Sequence, residues 1–232
     1  MKNHNINFDK DVIDTGSYLY TKNKLSSITA NINISREMKK KFSYKGKKIL
    51  DFGCGDGSYT KELSKFNPKT VHGVDISKEA IKIAKKKYKN INFNVGGYLY
   101  LKKCVKNKFD LIIFRGVLHH VENPKKYILE AARISKVILI LEPNGHNPIV
   151  KFLEKYSKYH IDHGERSFTS NKLFMWCKNS KFSSIDLSFI NIIPFFCPDW
   201  MVYILNFFYP IIKNIPFVKK YVCGQILIVA SK

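Results

Sequence analysis

The stretch Ile49-Leu50-Asp51-Phe52-Gly53-Cys54-Gly55-Asp56-Gly57-Ser58 decides the fold. The run Lys48–Phe52 reads as a short strand, and a helical pattern follows to Phe66. Between the two the chain has to turn sharply. Glycines at 53, 55 and 57 permit positive φ and let a ligand come close to the backbone. The helix that begins after them presents free N–H groups to that ligand. Eighteen positions after Gly57, Asp75 ends a second strand, Thr70–Asp75. A carboxylate there is placed to accept hydrogen bonds from ribose hydroxyls.

Outward from this unit the pattern repeats. Ser77 is a good N-cap for a helix with Ala80, Ile81 and Ala84 on one face. Ile91–Val95 reads as a third strand and Phe109–Phe114 as a fourth, free of polar residues after Asp110, as a strand buried on both faces requires. Asn123-Pro124 opens a helix to Ile134, and Lys136–Leu141 is a fifth strand. Strands alternating with helices predict an α/β fold, a parallel sheet with helices on both faces. Residues 1–45 read as an N-terminal extension, helical around Lys24–Phe42 with Tyr18 and Tyr20 ahead, and 46–232 as one domain.

The last third is less regular. A helix pattern, Ile149–Tyr159, leads to the polar segment Asp162–Thr169; Ser170–Asn179 reads as a helix, and Ile185–Ile190 and Gln225–Ala230 as final strands. Between those strands lies Ile192–Val222, rich in aromatics, isoleucine and proline, with only Asp199 charged before Lys213. Ordinary connections run to ~2–6 residues, so this one is expected to carry a role. Its most apolar part, Trp200–Ile212, is 13 residues long and interrupted by Asn206 and Pro210. Spanning a bilayer takes ~20 residues, which excludes a spanning helix. A cover over an apolar pocket, an interfacial membrane contact and a dimer interface remain.

Composition narrows the class. An apolar fraction of 45% in 232 residues supplies a real core and excludes wholesale disorder. Met1–Gly16 has no apolar run, so no secretory leader is expected. The five cysteines are scattered and never form a CxxC pair, which argues against a disulfide framework or zinc knuckle and for a reducing cytoplasm. The formal charge of +22 comes from 36 lysines and only four arginines. Together with abundant asparagine and isoleucine, that suits a coding bias, to which an anionic membrane surface can add. Planar recognition of phosphates and bases leans on arginine, so no dedicated nucleic-acid partner is expected.

The glycine spacing separates two readings of the loop. A dinucleotide fingerprint, G-x-G-x-x-G, needs glycine at position 58, where Ser58 stands. The loop instead reads D-x-G-x-G-x-G from Asp51, which resembles motif I of class I S-adenosylmethionine-dependent methyltransferases. Val71-His72-Gly73-Val74-Asp75-Ile76-Ser77 resembles that family's second motif, Phe109–Val121 its fourth-strand motif, and Leu141-Glu142-Pro143-Asn144 the end of its fifth strand. The match covers roughly 45–145 in order and is most similar to the small-molecule branch with ubiquinone/menaquinone-type enzymes. The resemblance implies a Rossmann-like, mostly parallel seven-stranded sheet whose last strand is antiparallel.

It also implies roles. Gly53, Cys54 and Gly55 would line the methionine and ribose of S-adenosylmethionine through backbone, with Asp51 orienting the loop or meeting the amino group. Asp75 would hold the ribose hydroxyls and Ile76 would lie against adenine. The family often places an Asp after strand three; here Gly97 stands there, so Tyr98 stacking or Gly97 backbone has to substitute. Arg115 and Gly116 would border the methionine moiety. Methyl transfer mainly needs alignment, with a base only when the acceptor carries a proton. His120, then His119, are the candidates for base or acceptor-orienting group.

His146, His160, His163, Glu165 and Arg166 form a looser polar set, of which His163 and Arg166, with Trp200, are candidate substrate contacts. His160 and His163 have the spacing of two metal ligands but lack a third, and no metal is expected. The expected function is methyl transfer to a small-molecule or lipid-like acceptor in the cytoplasm, with peripheral membrane contact and a homodimer left open. A nicotinamide dehydrogenase, an RNA methyltransferase and a non-catalytic S-adenosylmethionine-binding protein are the alternatives.

Overall fold

A computed structural model describes residues 24–162 and 164–232 of the chain. In chain order the elements are α1 (Leu25–Lys41), β1 (Lys48–Phe52), α2 (Ser58–Ser64), β2 (Thr70–Asp75), α3 (Lys78–Lys87), β3 (Asn92–Val95), α4 (Tyr98–Lys103) and β4 (Phe109–Arg115). A 3-10 turn, Leu118–His120, precedes α5 (Pro124–Ile134) and β5 (Ser135–Pro143). Then come α6 (Pro148–Tyr156), α7 (Lys158–Asp162), α8 (Ser170–Asn179), β6 (Ser184–Ile190), α9 (Asp199–Ile212), α10 (Pro216–Val222) and β7 (Gln225–Ser231).

The seven strands form one sheet in the order β3-β2-β1-β4-β5-β7-β6. The five strands from β3 to β5 are parallel, and β7 runs antiparallel between β5 and β6. This is the mostly parallel, Rossmann-like sheet expected from the sequence. Strand order reverses between β1 and β4, and a crevice beyond the carboxyl ends of the strands is where such sheets bind ligands.

The unbroken apolar run of β4 has a simple cause. Ile112 and Phe114 pack on one face with α5 and α8, while Leu111 and Ile113 pack on the other with Ile34 and Met38 of α1 and Leu63 of α2. Ser77 caps α3 as anticipated, accepting the Ala80 N–H at 3.0 Å. A third cluster joins Ala30 of α1 to Ile192, Ile193, Val202 and Tyr209. There Ser26 and Ser27 donate to the Phe195 carbonyl at 2.8 and 3.1 Å, and Asn33 donates to Asn206 at 3.1 Å. Helix α1 thus lies against both the sheet and α9.

Two local readings change. Tyr98–Lys103 is a helix that the alternating Tyr-Leu-Tyr-Leu pattern conceals. The Ile149–Tyr159 pattern breaks at Ser157 into α6 and α7. The segment 192–222 folds into α9 and α10, and among the described residues no helix is long and apolar enough to cross a membrane. Tyr18 and Tyr20 lie outside the described residues.

Candidate active site

The glycine loop is held by its own strands. The Gly53 and Cys54 N–H groups donate to the Val74 carbonyl at 2.6 and 3.1 Å. Asp75 accepts from Gly55 N–H at 2.9 Å on one oxygen and from Ser77 N–H at 2.8 Å on the other. Gly53 has φ +81°, and a Cβ there would lie 2.2 Å from the Val117 side chain. The loop glycine at 53 therefore answers two demands, a left-handed backbone and close approach of the turn after β4. Cys54 packs its thiol by Gly73 and the Phe93 cluster, with the Gly55 carbonyl at 3.7 Å, and burial pushes the thiol's pKa well up.

Asp51 is almost fully buried, with its carboxylate accepting from the Thr60 hydroxyl at 2.6 Å. Burial raises its pKa to about 6, against the opposing pull of the Thr60 hydrogen bond and the Arg115 charge. Arg115 itself is turned to α1: it donates to Asn31 at 2.5 Å and to Ser35 at 3.4 Å, and stacks 4.1 Å over the Tyr59 ring. Gly116 follows at φ +68°, its N–H on the Leu141 carbonyl.

Beyond Asp75 the surface is apolar and open. Ile76 is 48% exposed, and a Cβ at Gly97 would stand 3.4 Å from it. Tyr98 faces elsewhere, its ring 5.3 Å from that of Tyr127 at the edge of the core. Gly97 rather than Tyr98 is thus the neighbour of Ile76.

The fourth-strand histidines stand on the 3-10 turn, and a residue to which the sequence lent no role organises them. Glu142, fully buried at the end of β5, accepts the N–H groups of Val117 and Leu118 on one oxygen at 3.0 and 2.7 Å. Its other oxygen takes the His119 N–H at 3.1 Å and the His119 ring Nδ1 at 2.6 Å. A carboxylate can only accept, so Nδ1 carries the proton and Nε2 is the lone-pair position. Burial alone would lower the His119 pKa, but the Glu142 charge and hydrogen bond outweigh it and raise it. Glu142 was visible in the sequence as a carboxylate closing the apolar fifth strand, a placement that demands a partner.

His120 is half-buried, its ring centroid 3.8 Å from that of His119. The polar segment closes on this pair. Arg166 donates to the carbonyls of Val121 and Glu122 and lies 5.7 Å over Phe168. Glu165 meets His160 at 3.4 Å. His163 lies outside the described residues. His146 is separate, engaged with Ser170 at 3.0 Å. Trp200 sits on the outer face of α9, 64% exposed.

Comparison with known proteins gives this geometry a family. A family model described as "Methyltransferase domain" matches residues 43–182. A ubiquinone biosynthesis O-methyltransferase of Coxiella burnetii is 33% identical over 103 residues, 43% of each chain. Its mitochondrial counterpart from Schizosaccharomyces pombe is 33% identical over 108 residues, 44% of this chain and 36% of that one. The matched region thus spans less than half the length of these curated relatives. Among solved structures, a possible histamine N-methyltransferase from Thermotoga maritima superposes with a TM-score of 0.70 at 14% identity, covering 99% of both chains. Magnesium protoporphyrin IX methyltransferase from Synechocystis, with bound SAH, superposes at 0.67 and 14% identity over 98% of both. The family model covers more than half of the chain and the sheet order agrees with these folds, so the chain belongs to the class I S-adenosylmethionine-dependent methyltransferases.

Proposed function

We propose that this protein methylates a hydroxyl group on a small molecule with a large apolar portion, using S-adenosylmethionine. The observation that carries the cofactor reading is the pairing of Asp75 with Ile76. A nearly buried carboxylate at the end of β2 stands beside a bare apolar side chain, as a ribose and an adenine require. Gly97 leaves the space next to Ile76 clear. Asp51, out of solvent on Thr60, orients the loop rather than meeting a ligand amine. Gly53, Gly55 and Gly116 supply backbone, and Arg115 supports the site by fixing α1 against β4.

When bound, S-adenosylmethionine supplies a methyl group that passes to the acceptor oxygen as the carbon–sulfur bond breaks and sulfur keeps the electron pair. The chain then has to align the acceptor and take up the hydroxyl proton. Glu142 holds His119 with Nε2 as the proton-accepting position, and His120 stands beside it. His120→Ala should lower turnover ~10²-fold with cofactor affinity intact. Full-rate turnover in that variant would remove His120 from the reaction.

The apolar portion of the acceptor is inferred from α6, α9 and α10. On α9, Val202 and Tyr209 turn inward, while Trp200, Tyr203, Ile204, Phe207 and Ile211 stay bare. Neither α6 nor α10 buries a residue, and Asn147 at the start of α6 donates to the Val222 carbonyl at 2.9 Å, which keeps the two together. Lys151, Lys155, Lys213, Lys219 and Lys220 border these side chains. Aromatics flanked by lysines match an anionic bilayer surface, from which a lipid-like acceptor is drawn. Comparing turnover on hydroxylated acceptors with and without an alkyl tail tests this, and equal rates would discard the apolar requirement.

A further inference from the structure

We propose that His119, His120 and Glu165 form a binding site for a divalent transition-metal ion, of which zinc is the best match. This rests on the reading that an acceptor hydroxyl enters beside the histidine turn, and it deepens that reading. One ligand atom from each of these three residues lies within 4.8 Å of the other two. The sequence hides the group, because Glu165 comes from the polar segment after α7 while the histidines follow β4. Their spacing along the chain matches no metal motif.

Three features of the cluster point to a metal. Two imidazoles and one carboxylate form a donor set that catalytic zinc sites use, with the fourth position left for water or substrate. His119 is already oriented as a ligand, because Glu142 takes its Nδ1–H at 2.6 Å, which fixes the tautomer and leaves Nε2 as a lone-pair donor. Glu142 itself is held by three backbone N–H groups, so the imidazole is anchored to the sheet.

The three ligand atoms start close enough that small side-chain adjustments bring them to zinc bonds of roughly 2.0–2.1 Å. With the ion in place the histidines act as its ligands, and the proton-accepting role drawn for them above belongs to the protein without metal. An acceptor hydroxyl in the open position then loses its proton to water more readily, as metal-bound oxygen acids do.

The test uses the full chain with zinc chloride and cobalt chloride, first stripped with a chelator. Calorimetry and elemental analysis should give one ion per chain, and cobalt should show the strong visible absorption of a tetrahedral site. Glu165→Gln and His120→Ala should each weaken zinc at least tenfold, and Glu142→Gln ~10–100-fold through its hold on His119. Unfolding curves identify any variant that has lost its fold. No zinc uptake, or equal uptake by wild type and by both Glu165→Gln and His120→Ala, overturns the proposal. Calorimetry with S-adenosylmethionine alone reads the methyltransferase assignment separately, so zinc can fail while the cofactor binds, and the reverse.

Discussion

Helices α5 and α6 carry the same apolar spacing and meet opposite fates. On α5, Pro124, Tyr127, Ile128 and Ala131 repeat at i, i+3, i+4 and i+7, and all four are buried against the sheet. On α6, Ile149, Phe152, Leu153 and Tyr156 repeat in the same way, and none is buried. Periodicity states which face of a helix is apolar; only the tertiary structure states what covers it. The difference divides the molecule. One side, built on β1 to β5, holds most of the buried apolar core. The other, of α6, α9 and α10, leaves aromatic side chains in the open.

The largest expected effect lies on the enclosed side. Ile128→Ala should cost about 2–5 kcal/mol in thermal or denaturant unfolding, since its side chain is fully buried. A loss no greater than that of Phe152→Ala would erase the contrast between α5 and α6.

Next comes Asp51, whose carboxyl is raised by burial from an ordinary 3.8 to about 6. Between those values the folded protein binds a proton that the unfolded chain has released, so stability falls as pH rises through the window. The contribution is fully present below about pH 4 and gone above about pH 6, with a size on the order of 2–3 kcal/mol. Asp51→Asn should flatten that part of the pH profile relative to wild type. Parallel profiles would show that Asp51 titrates as an exposed carboxylate does.

Asp75→Ala should weaken S-adenosylmethionine by roughly 1–3 kcal/mol in calorimetry, the scale of charge-assisted hydrogen bonds. A folded variant with unchanged affinity would strip Asp75 of its role.

The smallest change in stability belongs to the open side. Phe152→Ala, Trp200→Ser and Phe207→Ser should each stay within about 0.5 kcal/mol of wild type, because their side chains are 61%, 64% and 73% exposed. Together they should nonetheless reduce cosedimentation with anionic vesicles severalfold. Vesicle binding unaffected by the triple change would leave the lysines to act alone, and a dimer dissociated by it would assign the face to a second copy.

The two sides also differ in how much their residues disclosed. Strands β4 and β5 were legible as apolar runs, and β1 to β3 as shorter β-branched or apolar-polar stretches set off by glycine or a capping serine, all of them local signals. That the glycine loop and Asp75 are neighbours was legible because both lie within one βαβ unit, where Asp75 accepts the Gly55 N–H. Glu142 and Glu165 were not assigned, since each acts on residues far away in sequence: 23 positions separate His119 from Glu142. Arg115 shows a further limit. Its position at the end of β4 suggested a ligand contact, and nothing local announced that its guanidinium also meets Asn31 and Tyr59. A long side chain follows its nearest acceptors, and those came from a helix about 80 residues upstream.

Helix α1 has a consequence for how the two sides communicate. Through Asn31 and Ser35 it grips Arg115 at the end of β4, and through Asn33, Ser26 and Ser27 it grips α9 and the segment leading into it. If the bare face of α9 is covered and a ligand is bound at the glycine loop, both events act on this one helix. Thermodynamic linkage then makes any coupling between them symmetric, each raising or lowering the other's affinity by the same factor.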